Sequence, residues 1–100
     1  MNSAVRVVLY HACEQPDRIA AAYHEVSNRL AAVPGLLGNE LLRSRDDPTD
    51  YIVVSSWRDL AAFEAWEGGA EHREDTAPLR PFRRTTSRQP FGIYQVVAAY

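Results

Sequence analysis

Residues 51–57, "YIVVSSW", restrict the possible folds of this chain more than any other segment. β-Branched and aromatic residues dominate the run, and turn-forming residues precede it in "RDDPTD", so it reads as a strand. Its two faces are both apolar: Tyr51, Val53 and Trp57 alternate with Ile52 and Val54. A half-exposed strand alternates apolar with polar, whereas a strand covered on both sides need not. With 100 residues, the chain has too few helices to cover both faces of its own sheet. A second subunit is therefore expected to cover one face and help shape a pocket.

The flanking segments supply the rest of the sheet. Residues 4–11, "AVRVVLYH", read as a first strand broken only by Arg6. Pro16 suits the first turn of a helix, and Ile19, Ala22, Tyr23, Val26, Leu30 and Val33 follow three-and-four spacing along one face. Pro34-Gly35 ends that helix. Residues 36–45 form a second strand in a hairpin with the third. Asp59 caps a second helix from Leu60, which Gly68-Gly69 interrupts before "AEHRED" resumes it. Pro78 and Pro81 make residues 76–90 irregular, and residues 91–100 read as a fourth strand. The order is β-α-β-β-α-β, an α+β ferredoxin-like arrangement with a four-stranded antiparallel sheet. Both helices belong on one face. The other face is left apolar and bare in a single chain, which predicts a two-fold dimer.

Composition excludes several function classes. One domain over residues 1–100 is the expectation at this length. A net charge of -2 provides no field for nucleic acid or an anionic membrane. No apolar run approaches the ~20 residues of a membrane span, and the N-terminus lacks the apolar core of a signal peptide. The lone Cys13 suits a reducing compartment, so a cytoplasmic location is expected. All eleven basic residues are arginine, which rules out Schiff-base lysine chemistry and a P-loop. The three histidines lack the spacing of metal ligands, and Asp46, Asp47 and Asp50 fit turn chemistry around Pro48.

Within residues 34–73, "PGLLGNELLRS", "DYIVVSSWRDLAAFEAW" and "EHR" stand at separations that resemble the antibiotic biosynthesis monooxygenase superfamily. The resemblance implies a dimer whose two ferredoxin-like sheets form an α+β barrel. It also implies one of two activities. Quinone-forming members oxidise aromatic polyketides without metal or flavin. Haem-degrading members carry an Asn on the first strand, a Trp on the second helix and a His further along it. Trp66 matches that Trp, but His72 follows at a shorter step and "VRVVLYH" contains no Asn. The quinone-forming branch is therefore the expectation, with no cofactor and with a small aromatic substrate and molecular oxygen as partners. A non-oxidative cyclase, an isomerase and a ligand-binding barrel are the alternatives.

Oxygenation without a cofactor needs a dry aromatic slot, a proton acceptor and a donor for the developing anion. Trp66, Phe63 and Trp57 are candidates for the slot, and core packing would explain the same residues. His72 is the candidate proton acceptor, since an ordinary imidazole titrates near ~6.5. It is flanked by Glu71 and Arg73, where a solvated histidine is the plain alternative. His11 ends the first strand, where a surface role is the expectation and lining the same cavity the alternative, and His24 is expected exposed on the polar side of the first helix. Arg83, with Arg80, Arg84 and Arg88, offers a cation for a phenolate. Asn39 and Tyr51 offer polar groups on an apolar sheet, as Tyr10 and Tyr94 do more remotely.

Overall fold

The computed structural model describes residues 3–84 and 91–100 and follows the expected element order. Strands β1 (Val5–Ala12), β2 (Leu36–Arg43), β3 (Asp50–Trp57) and β4 (Phe91–Gln95) pair antiparallel in the order β2-β3-β1-β4. Helices α1 (Pro16–Leu30), α2 (Leu60–Glu67) and α3 (His72–Thr76) are joined by a 3-10 turn at Ala77–Phe82. The result is a ferredoxin-like α+β fold.

Register decides which side chains meet. Val5 lies opposite Trp57, Val7 opposite Ser55, Leu9 opposite Val53 and His11 opposite Tyr51. Directly opposed residues share a sheet face, so these eight side chains point together toward the helices. Two apolar clusters form there. Ile19, Ala22, Val26 and Leu30 of α1 pack with Tyr51 and Val53 of β3. Ala62 and Phe63 of α2 pack with Val5, Val7 and Trp57. Leu9, Leu36 and Trp66 touch both clusters.

The opposite face carries the other half of the doubly apolar β3. Val8, Tyr10, Ile52 and Val54 are only half-buried there. Leu42, across from Ile52, is 41% exposed, and Tyr94, across from Arg6, is 55% exposed. The sheet thus has one covered and one open apolar face in the single chain.

Local chemistry sets the element ends. Asp59 Oδ1 accepts from the Ala62 N–H at 2.8 Å and starts α2, and Gly68 ends it. Helix α1 stops at Leu30 instead of reaching Val33. Val33 precedes Pro34, which disfavours helical backbone there, and its N–H turns back to the Leu30 carbonyl at 3.0 Å. Gly35 follows with φ +84, a left-handed conformation that favours glycine. The segment expected to be irregular contains a 3-10 turn, because Pro78 suits its start and it seats Leu79 in the core. Strand β2 ends two residues early, where Ser44 Oγ accepts from the Asp46 and Asp47 N–H groups. Strand β4 ends at Gln95, and the Val96 N–H makes one more bond to the Ala4 carbonyl.

Candidate functional site

The two core clusters do not close fully on each other. Between them, under the helices, lies a cavity with about 100 Å³ open to the centres of water-sized molecules. Its floor is the helix-facing side of β1 and β3, including Val7, Leu9 and Val53. One wall is aromatic and the other polar.

Helix α2 builds the aromatic wall. Phe63 and Trp66 are three residues apart and share a helix face, which directs both at Trp57 on the end of β3. Trp66 stacks on Trp57 with centroids 5.4 Å apart and planes inclined 30°. Phe63 meets Trp57 edge-on at 5.5 Å and Phe91 of β4 at 6.5 Å. The two indoles differ in their polar atoms. Trp57 Nε1 donates to Ser55 Oγ at 2.9 Å, whereas Trp66 Nε1 is buried with no partner among the described residues. A buried donor without an acceptor costs about 1–3 kcal/mol.

His72 opens α3 just after the Gly68-Gly69 break and lies edge-on to Trp66, with centroids 4.5 Å apart and planes at 90°. It is half-buried on the cavity lining and not a freely solvated side chain. Burial lowers its pKa from the ordinary value. Arg83 and Arg80 lower it further, while Glu67 and Asp75 pull it back up. The imidazole is therefore neutral at neutral pH and able to accept a proton.

Asn39 of β2 faces the cavity across from this wall. Its Oδ1 accepts from Ser27 Oγ at 3.0 Å, and its backbone carbonyl accepts from Tyr23 OH at 3.0 Å. With Oδ1 engaged, the carboxamide presents its N–H groups as donors. Tyr51 packs elsewhere. Its ring is buried in the α1 cluster, outside the cavity lining, and its hydroxyl has no partner among the described residues.

The arginine run divides by position. Arg80 and Arg83 border the cavity. Arg84 instead bridges Asp50 at 3.1 Å, and its N–H bonds the Tyr10 carbonyl at 2.9 Å. Arg88 lies outside the described residues. His24 is exposed, as expected. Asp47 accepts from Thr49 N and Oγ1 at 3.0 and 2.7 Å, as turn chemistry requires.

His11 corrects the surface expectation. It is only 3% exposed and borders the cavity. The signal for this was in the strand period: Val5, Val7, Leu9 and His11 are alternate residues, so the histidine shares the core face. Arg6, Val8 and Tyr10 occupy the other face. Tyr23 and Ser27 also line the cavity; the spacing along α1 reads Tyr23 simply as part of the helix's apolar side, and nothing in the sequence singles out Ser27.

A ferredoxin-like sheet with an aromatic cavity under its helices is a recognisable class, and sequence comparison identifies it. The antibiotic biosynthesis monooxygenase family profile matches residues 4–74, and the chain belongs to that family. It is 34% identical over 99 residues to Protein SchA of Streptomyces halstedii, covering 97% of this chain and 26% of SchA. It is 37% identical over 95 residues to the 42.8 kDa protein in the whiE locus of Streptomyces coelicolor, covering 92% of this chain and 24% of that protein. The chain thus spans about a quarter of the length of these relatives. A haem oxygenase (mycobilin-producing) of Mycobacterium tuberculosis is 39% identical over 56 residues, 56% of this chain and 50% of that enzyme. Among solved structures, SnoaB, a cofactor-independent oxygenase from Streptomyces nogalater, superposes with TM-score 0.76 at 19% identity. That match covers 99% of this chain and 97% of SnoaB, and it shows a shared fold.

Proposed function

We propose that this chain is a cofactor-independent monooxygenase that oxidises a polycyclic aromatic intermediate, of the anthrone or dihydroquinone type, in polyketide biosynthesis. The observation that carries the reading is the Trp57–Trp66–His72 arrangement. It joins a stacking surface and a neutral imidazole on one cavity wall with an indole whose buried N–H has no partner among the described residues. Family membership, the SnoaB fold and the similarity to Polyketide synthase CurD of Streptomyces cyaneus (31% identity over 72 residues) support the same reaction class.

The chemistry needs little from the protein beyond a proton acceptor and an ordered, dry slot. The planar ring lies against the aromatic wall that Trp57, Trp66 and Phe63 build, and Asn39 donates to an oxygen at its other edge. His72 removes a proton from the activated carbon, and the electron pair stays on the substrate as an enolate. Arg83 and the Trp66 N–H stabilise the enolate oxygen. Molecular oxygen accepts the electrons: one oxygen atom becomes the new carbonyl and the other leaves as water. The open sheet face, with Val8, Ile52 and Val54, fits a second copy of the chain, so the working unit is a homodimer.

The test is turnover. Protein freed of metal and flavin should convert anthrone-type substrates with oxygen to quinones above the uncatalysed rate. Product formed equally well without oxygen would instead favour a cyclase or isomerase, and ligand-induced stabilisation without turnover a binding barrel. The mycobacterial relative gives haem degradation a place as a second reading. Haemin titration separates it: the proposed activity predicts no Soret shift.

A further inference from the structure

We propose that His11 and Arg83 form a second acid–base subsite in the cavity, where His11 takes the proton of a substrate phenol and Arg83 holds the resulting phenolate. The inference rests on the aromatic-substrate reading above and adds to it that the substrate carries an ionisable ring hydroxyl within reach of Arg83.

The protonation state of His11 follows from its contacts. Its Nδ1 lies 3.2 Å from the Leu9 carbonyl oxygen, which can only accept, so Nδ1 carries the proton. In the neutral ring Nε2 is then a lone pair, and it has no hydrogen-bond partner among the described residues. The imidazole is buried yet lines the cavity, so the cavity is where an acidic proton can reach it. Burial is the first cause of its lowered pKa; the Leu9 bond opposes the shift and the charge of Arg83 adds to it. A neutral histidine beside a fixed cation accepts a proton best when an anion forms with it, which is what phenol ionisation supplies.

Backbone pairing sets the position of Arg83. Arg83 forms an antiparallel bridge with His11, and the next residue is tied twice, by its N–H to Tyr10 and its guanidinium to Asp50. Arg84 is thereby held outward and Arg83 borders the cavity beside His11. The balance is simple: the phenol O–H bond breaks, the Nε2–H bond forms, and the imidazolium and guanidinium flank one phenolate. Tyr23, Tyr51, His72, Arg80 and Glu67 are the other titratable groups on or near the surrounding walls.

The probe is 2-hydroxyanthraquinone, already oxidised and so inert to oxygenation, whose visible band moves to longer wavelength on ionisation. Bound to the full-length protein, the dye should ionise at least about one pH unit below its free value. His11→Gln keeps a donor for Leu9 and should return the ionisation toward the free value. Arg83→Gln, at an exposed position that spares the core, should do the same. Melting curves on both variants check that they are folded. Dye that binds with unshifted ionisation, or a shift that survives both substitutions, overturns the subsite while leaving the oxygenase reading intact. Failure of the dye to bind also overturns it. A shifted dye in a protein that never oxidises anthrones would sink the oxygenase reading alone.

Discussion

Trp66→Phe separates the structural role of Trp66 from its proposed chemical one. Phe keeps a ring that can stack on Trp57 and meet His72 edge-on. It loses about 40 Å² of ring surface, roughly half of it buried, which at ~25 cal/mol per Å² is about 0.5 kcal/mol. The substitution also removes a buried N–H without a partner, relieving about 1–3 kcal/mol. The two effects oppose each other, so urea denaturation should show stability unchanged or raised by about 1–2 kcal/mol. Turnover should move the other way. If the indole N–H meets the developing oxyanion, its loss costs about 10²–10³ in kcat, the usual effect of deleting one such donor. The assay is paired denaturation and anthrone oxidation on wild type and variant. Turnover within about threefold of wild type would refute a role for the N–H. A stability loss beyond about 2 kcal/mol would show that the N–H is paired or the stack far more tightly packed than its geometry implies.

Three further outcomes follow from the same physics. Gly35→Ala should destabilise by about 2–4 kcal/mol in urea, since a Cβ there meets both a left-handed backbone and the Ala62 side chain; a loss under about 0.5 kcal/mol would contradict the strand entry described here. Tyr51→Phe should leave stability unchanged or raise it by up to about 1 kcal/mol, because the hydroxyl it removes is buried and unpaired; a clear loss would reveal a partner for that hydroxyl. Burial holds His11 and His72 below the ordinary histidine value, so the unfolded chain binds more protons in the window just below it. Stability should therefore be complete above about pH 6.5 and fall as the pH drops through that value, and His11→Gln should flatten the fall.

The sequence carried most of the fold because the fold depends on local signals. The two-sided apolar β3, the Asp59 cap and the Gly68-Gly69 break all mark their elements directly. The fraying of the ends at Val33 and after Gln95 was less visible, because it depends on a proline's neighbour and on where β1 begins to pair. The site was legible in part. Trp57, Phe63, Trp66, His72, Asn39 and Arg83 all border one cavity. Tyr51 does not, since its helix-facing side chain is taken up by the α1 core. His11 was obscured by reading a strand end as surface, although its two-residue step from Leu9 places it inward. Cross-strand partners such as Arg83 and His11 are brought together only by the return of the chain after the 3-10 turn, and no local pattern announces that.

Oxidation of an anthrone by the metal-free, flavin-free protein under ¹⁸O₂ tests the central claim most directly. The account predicts quinone formed faster than in buffer alone, with one labelled oxygen in the new carbonyl and no product without oxygen. A rate equal to the uncatalysed one, or an unlabelled product that also forms anaerobically, would contradict it.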